Sequence, residues 1–274
     1  MIFKTIQPAE HLKPFIKDYL LLRYVFDKSK PIPIKPFPAN TQHCLVFYLK
    51  GCVMTYNSET NVYNSFAKIS LNGSQITRFD FHLSQDYLMF SVNFQPNVLS
   101  KFLRLPLTEF INDRIDAEAI LNPEINQVYE NMTNAINYEH IVKIAEEYLW
   151  KRIQKVKIAF DPIDKVALLL NEKPSIFSVE KLADLACLSI SQLERRFINE
   201  TGISPKFYAR INRFSQAYSL KEKQPNTDWL GIALETGYHD YQHLVKDFKQ
   251  FSGTTPNSLL QAQAKSPEKV LGII

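Results

Sequence analysis

The spacing of apolar positions changes along the chain, and each change predicts a different element. In residues 43–49, 53–56, 62–71, 75–81 and 87–94, runs rich in Val, Ile, Phe and Tyr are separated by turn residues such as Asn57-Ser58, Asn72-Gly73 and Ser84-Gln85-Asp86. Short, closely spaced strands of this kind predict an antiparallel sheet curled into a barrel or sandwich. Ahead of them a short helix is expected over 8–18, with Leu12, Phe15 and Ile16 inward, followed by an extended run over 19–26. The proline-rich stretch 30–38 cannot be helical, because proline lacks the N–H donor and biases the residue before it to extended backbone. It reads as a loop or sheet edge, with a polyproline ligand for a partner domain as the alternative. Beyond Pro96 the period becomes helical, with Val98, Leu99, Phe102 and Leu103, then 107–111, then two longer helices over 123–137 and 139–154.

A stronger pattern lies further on, because residues 178–205 recur, altered, as 228–256. In the first copy Val179, Leu182, Ala183 and Ala186 fall at i, i+3, i+4 and i+7 behind Ser178, an N-cap residue. In the second, Trp229, Ile232, Ala233 and Thr236 repeat the spacing behind Asp228. A short turn follows each, Cys187-Leu188-Ser189 or Gly237-Tyr238-His239-Asp240, and then a second stripe: Ile190, Leu193 and Phe197, or Tyr241, Leu244 and Phe248. Each copy closes on a glycine with a proline beyond it, Gly202 and Pro205 or Gly253 and Pro256, which are helix-stop signals. Two helix-turn-helix units in tandem are expected.

At about 100° per residue, a core face built on Ile190, Leu193 and Phe197 turns Ser191, Gln192 and Arg195 outward. The same rotation in the second copy exposes Gln242, His243 and Lys246. Such side chains suit base edges in a major groove: Arg and Lys meet the acceptors of guanine, and Gln pairs with adenine. Glu194, beside the core face, is placed to accept from cytosine or to orient Arg195. Small helical hairpins with polar outer faces also occur in proteins that touch no nucleic acid, and one copy is a weak signal. Two copies with matched apolar sets and matched stops favour DNA.

The segment resembles the AraC/XylS-type DNA-binding domain of bacterial transcription regulators. The matching elements are Leu182-Ala183, Ser189, Leu193, Arg195, Phe197, Gly202-Ile203-Ser204-Pro205, Tyr208, Arg213 and Ala217, then Ile232-Ala233, Gly237-Tyr238, Leu244, Phe248, Gly253 and Thr255-Pro256. They cover residues 161–260. The resemblance implies a seven-helix domain in which 206–223 form a linking helix between two recognition helices. It implies that bases are read by Ser191, Gln192, Glu194 and Arg195 and by Tyr241, Gln242, His243 and Lys246. The two helices would enter successive major-groove segments about 34 Å apart, with phosphates held by Arg196, Lys206, Arg210 and helix N-termini. Four positions depart from the family. Cys187 stands where glycine is usual, Leu259-Leu260 replace Tyr-Arg, and Lys246 replaces an arginine, exchanging a bidentate fork for a point charge.

The N-terminal half looks like the sensor found in front of such domains, a cupin-like barrel followed by helices, on Gly73, Phe94-Gln95-Pro96, Leu99 and Leu107-Thr108-Glu109. That resemblance implies a small effector in the barrel and dimerising helices behind it. The fold class expected is therefore α+β, with an N-terminal antiparallel barrel and following helices and an all-α C-terminal domain carrying both helix-turn-helix units. Nine aromatic residues, Phe47, Tyr48, Tyr56, Tyr63, Phe66, Phe79, Phe81, Phe90 and Phe94, either fill the barrel core or line a pocket, and filling is the more usual case. The stripe Ile141, Ile144, Ala145, Tyr148 and Leu149 reads as a dimer seam, with packing on the barrel as the alternative.

At 274 residues there is room for two domains. The boundary is expected near the basic stretch 151–157, which ends before the cap and first-turn proline Asp161-Pro162 and divides the chain into 1–155 and 156–274. The basic stretch reads as a solvated linker face or as a contact to DNA backbone. With 45% hydrophobic and 22% charged residues and a net charge of +4, composition suits a soluble globular protein and is compatible with nucleic acid without establishing it. No apolar run has the length of a membrane span and the first residues lack a signal-peptide core, so a cytoplasmic location and no membrane partner are expected. Cys44, Cys52 and Cys187 form no CxxC pair, which fits reduced thiols, with a Cys44–Cys52 disulfide as the alternative.

His43 and His82 stand apart, and no phosphate loop, nucleophile elbow or HExxH occurs, so no catalytic or metal-binding set and no cofactor are expected. The function expected is sequence-specific regulation of transcription. The partners are duplex DNA, a small effector whose contact residues the sequence does not identify, a second copy of the chain and RNA polymerase. Two alternatives remain: a constitutive DNA-binding dimer without effector, and a cupin-like enzyme carrying a DNA-binding tail. Convergent His or Glu side chains in a barrel pocket would favour the enzyme, and a barrel filled solid by its aromatics would favour the constitutive dimer.

Overall fold

The computed structural model describes residues 1–57, 62–121, 123–175 and 178–273. Among these residues ten strands form two antiparallel sheets. Strands β1 (Ile2–Ile6), β2 (Ile16–Val25), β3 (Lys35–Phe37), β4 (Cys44–Lys50), β5 (Val53–Asn57), β6 (Val62–Ser65), β7 (Ile69–Asn72), β8 (Phe79–Leu83), β9 (Asp86–Phe94) and β10 (Arg114–Asp116) follow in chain order. The larger sheet runs β1-β2-β9-β4-β7-β10 and the smaller β3-β8-β5-β6.

Alternation along the strands gives the larger sheet two apolar faces. Leu21, Leu45, Phe47, Phe90 and Val92 point to one side, into a core closed by helices. Leu22, Val46, Tyr48 and Met89 point to the other, toward the smaller sheet. The helices are α1 (Val98–Leu103), α2 (Ala117–Ile120), α3 (Glu124–Thr133) and α4 (Tyr138–Val156). On α4, Ile141, Ala145, Tyr148 and Leu149 are buried in this core, with Ile144 packed beside them. The stripe expected to be a dimer seam is therefore buried within the chain's own core, between the larger sheet and its neighbours α1 and α3.

Several expected elements change shape. The helix expected over 8–18 is one 3-10 turn, Glu10–Leu12. Pro14 has no N–H to continue it, and β2 starts at Ile16. Strand β1, not foreseen, pairs with β2 from Ile2↔Arg23 to Ile6↔Tyr19. The single strand expected over 62–71 divides: β6 is exposed and forms a hairpin with β5, whereas Ile69 and Leu71 carry β7 across to β4 in the other sheet. The strand expected over 75–81 shortens to β8, because Gln75 makes only an isolated bridge with Asn40. The proline-rich stretch supplies β3 at the edge of the smaller sheet. The turn expected at Asn57-Ser58 falls partly outside the described residues. All three cysteines are free thiols. Among the described residues no helix is long and apolar enough to cross a membrane.

The rest of the chain is helical: α5 (Pro162–Glu172), α6 (Val179–Leu185), α7 (Ile190–Thr201), α8 (Pro205–Lys223), α9 (Trp229–Glu235), α10 (Tyr241–Ser252), α11 (Pro256–Gln263) and α12 (Pro267–Val270). Local chemistry fixes the ends. Ser178, Ser189, Asp228 and Asp240 accept hydrogen bonds from main-chain N–H groups of the first turn. Gly202 and Gly253 close α7 and α10 in the left-handed region, at φ 86° and 67°. Leu182, Ala183, Leu193, Phe197, Phe214, Ile232, Leu244 and Phe248 form one core around α8. Ile190 and Tyr241, assigned to the inner stripes by spacing, are exposed, because each sits in the first turn of its helix ahead of the packed residues.

The sheets and the helical region meet through main-chain groups. On α7, Asn199 O accepts from Leu107 N and Thr201 O from Ser74 Oγ, at 2.8 and 2.7 Å. On α10, Phe251 O accepts from Ala39 N at 2.8 Å. The C-terminal carbonyls of both helices, which have no partner within the helix, are thus capped from the sheet side. Ala39 lies inside the helical core, and Thr41 Oγ1 is 2.7 Å from Asn212 Oδ1 on α8.

Candidate nucleic-acid interface

Helices α7 and α10 each follow a short helix and a tight turn, and α8 connects the two units. The first turn requires left-handed backbone at Cys187, φ 53°, where the second has Gly237 at φ 79°. A side chain in that region carries strain that glycine does not. Leu193 and Phe197 on α7, and Leu244 and Phe248 on α10, are fully buried. Opposite them Ser191, Gln192, Glu194 and Arg195 are exposed, as are Tyr241, Gln242, His243 and Lys246. Each helix thus presents a polar face, with its orientation fixed by the core behind it.

Two members of these sets also hold their own helix. Gln192 Oε1 accepts from Ser189 N at 3.0 Å while Ser189 Oγ accepts from Gln192 N, a reciprocal cap. Asp240 accepts from His243 N and lies 2.9 Å from its Nδ1, and these bonds hold the Asp240 carboxyl down to about 2. Asp240, His243 and His239 bring three ligand-type atoms together on the surface.

The expected phosphate contacts divide. Lys206 is exposed at the start of α8. Arg196 Nη2 donates to Asp161 Oδ2 at 2.8 Å. Arg210 Nη2 donates to Asp247 Oδ1 and Gln250 Oε1, both at 2.6 Å. Asp247, missed by sequence reasoning, is buried on α10 and also receives Arg213 and the Tyr238 hydroxyl. Its signal was available: a carboxylate three residues after Leu244, on the inner face, needs cationic partners.

Lys101 on α1 reaches across to the helical region. Its ammonium meets Asp164, lies 3.6 Å from Asp161 and 3.7 Å from Glu200. Burial raises Glu200 to about 7, with Lys101 opposing that shift. His43 is buried, with Nε2 3.1 Å from Ser74 Oγ, and desolvation lowers it to about 4.

Between the sheets lies a cavity of about 450 Å³, bounded also by Phe214, Ser215 and Tyr218 of α8. Of the nine aromatic residues singled out above, Tyr48 and Phe81 line it. Its lining contains Lys35 and Arg114 but, among the described residues, no histidine and no carboxylate.

Two helix-turn-helix units joined by one long helix, each with an exposed polar face, form a tandem arrangement beside the two sheets. Residues 182–262 match a family described as a helix-turn-helix domain, and residues 4–116 match a domain of unknown function, DUF6597. An uncharacterized HTH-type transcriptional regulator of Haemophilus influenzae is 33% identical over 90 residues, 32% of this chain and 30% of that protein. The uncharacterized HTH-type transcriptional regulator YidL of Escherichia coli is 24% identical over 97% of this chain and 83% of its own. Among solved structures ToxT from Vibrio cholerae superposes with a TM-score of 0.51 at 15% identity, covering 89% of this chain and 98% of that one. ToxT has also been solved bound to (E)-4-(8-methylnaphthalen-1-yl)but-3-enoic acid. Residues 182–262 thus carry a helix-turn-helix domain, and the relatives that share it are HTH-type transcriptional regulators.

Proposed function

We propose that the protein reads a specific duplex sequence with α7 and α10 and that a small effector in the cavity controls this reading. The observation that carries it is the pair of polar helix faces, each backed by a buried stripe and held by one linking helix. Ser191, Gln192, Glu194 and Arg195 read one major-groove segment, and Tyr241, Gln242, His243 and Lys246 read the next. Lys206, with Arg196 and Arg210 through the N–H groups their carboxylate partners leave free, meets phosphates. In this reading residues 1–155 are the sensor and 156–274 the reader, a division that falls at the last residue of α4.

An open cavity favours an effector over a barrel filled by its aromatics, and the described lining residues, which include no His and no carboxylate, favour binding over catalysis. A ToxT complex with an organic acid gives the same fold a ligand-bound example. The remaining partners in this reading are a second copy of the chain and RNA polymerase, in the cytoplasm. Selection of bound sequences from random duplexes by the full-length protein, at stated salt because phosphate contacts make affinity salt-dependent, tests it. Enrichment of two blocks about one helical turn apart is the expected result. Weak, salt-sensitive binding with no enriched motif, with and without small-molecule extracts, rejects it.

A further inference from the structure

Among the described residues, one ionised group on the cavity wall has no counter-charge. The register of the larger sheet sets Asn93, Cys44, Asn72 and Arg114 in a single row across β9, β4, β7 and β10, and all four line the cavity. The first three are neutral. Arg114 donates from Nη2 to Gln75 Oε1 at 2.9 Å, while its Nε is buried without a partner. Asp113, its sequence neighbour, is exposed and accepts instead from the Arg114 main-chain N–H at 2.7 Å. The other cation of the lining, Lys35, is paired with Glu268.

Phe66, Phe79 and Phe81 lie 4.8 to 4.9 Å from the Arg114 guanidinium carbon. Contacts between a cation and ring faces offset part of the lost hydration, but they do not occupy the N–H edges of the fork. A guanidinium stays charged even when burial lowers its pKa, so a buried one without an anion is unfavourable by itself.

We infer that the cavity binds an organic monoanion, an alkyl or aryl carboxylate whose carboxyl group pairs with Arg114 while its body lies along Leu22, Val46, Val53, Phe81 and Met89. Arg114, the one cation among the described lining residues without a counter-charge, matches one negative charge, its planar fork matches a carboxylate, and the rest of the wall is mostly apolar. This inference rests on the effector reading above and names the chemical class of that effector. The anion's position also connects it to the DNA-reading part. Gln75, the present partner of Arg114, donates through Nε2 to Phe37 O at 2.8 Å and Thr77 O at 2.9 Å. Its neighbours in space and sequence, Ala39 and Ser74, cap α10 and α7. A carboxylate that takes over the fork frees Gln75, which bonds the segment gripping both helices.

The test is calorimetric titration of the full-length protein with 4-phenylbutanoate and decanoate, each against its primary amide, which keeps the body and removes the charge. Wild-type protein is expected to bind the acids roughly tenfold or more tighter than the amides, the margin of a charge-assisted bond in a partly dry site. Arg114→Gln is expected to bind acid and amide alike, and Arg114→Lys to keep part of the preference. Retained binding of a selected DNA duplex shows that the variants are folded. Equal binding of acid and amide by wild type overturns the anion and leaves a neutral effector standing. A preference that survives in Arg114→Gln overturns the role of Arg114. No binding of either form at millimolar concentration, with DNA affinity unmoved, overturns the anion and the effector reading together.

Discussion

Replacing Glu200 with Gln asks whether the charge cluster beneath α7 holds a proton at neutral pH. Glu200, Asp161 and Asp164 gather around Lys101, with Arg196 2.8 Å from Asp161, so three carboxylates face two cations. Burial, ahead of these charges, raises Glu200 from 4.5 to about 7. The unfolded chain therefore ionises Glu200 near pH 4.5 while the folded chain keeps it protonated to about pH 7. Stability is lost as pH rises through that window and the loss is complete above it. At 1.36 kcal/mol per unit the ceiling is about 3 kcal/mol, and the side chain's 17% exposure places the measured value below it. His43, lowered to about 4 by desolvation, acts in the opposite direction, adding stability as pH rises from about 4 to its unfolded value near 6.5. It does so in both proteins, so their difference isolates Glu200. In urea unfolding, wild type and Glu200→Gln should match near pH 4.5, and the variant should be more stable by about 1–3 kcal/mol near pH 8. A difference that does not change with pH, or a variant less stable at pH 8, refutes the protonated cluster.

Arg195→Ala should cost about 1–3 kcal/mol at the selected duplex and relax preference at one base; an equal loss on every sequence would make Arg195 a phosphate contact. Asp247→Ala leaves Arg210 and Arg213 without their buried partner and should destabilise the protein by about 3 kcal/mol in urea unfolding, and a change under about 1 kcal/mol would mean that solvent already serves both guanidiniums. Cys187→Gly removes a side chain from left-handed backbone and should raise stability by up to about 1 kcal/mol, the left-handed strain less the glycine entropy; a lower melting temperature would contradict it.

The DNA-reading half was legible because its signals are local. Ser178, Asp228 and Gly202 act within a turn of their own position, and the stripe through Leu193 and Phe197 needs only the helical period. Cys187 was legible through the resemblance alone, which expects glycine at that turn. The sheet half was legible in its composition but not in its pairing. Nothing in 62–71 marks where the chain leaves one sheet for the other, because Tyr63 and Leu71 suit a strand equally well. The α4 stripe was ambiguous because apolar periodicity states that a face is covered without saying by what. Arg114 and Lys101 were illegible: each takes its meaning from groups distant in sequence, Gln75 and Phe66 for one, Asp164 and Glu200 for the other.

Ala39 sits in the core of the helical region while its N–H closes the end of α10, and Gly202 lies so near Leu107 that a Cβ there would come within 2.8 Å of its carbonyl oxygen. The sheet region and the helical region are therefore fitted to one another residue by residue. Chimeras that join these sheets to another protein's helical region between α4 and α5 would need Ala39, Leu107 and their counterparts carried over as a set, and a cut made by sequence position alone would leave the new helical region with a hole in its core and the ends of α7 and α10 uncapped.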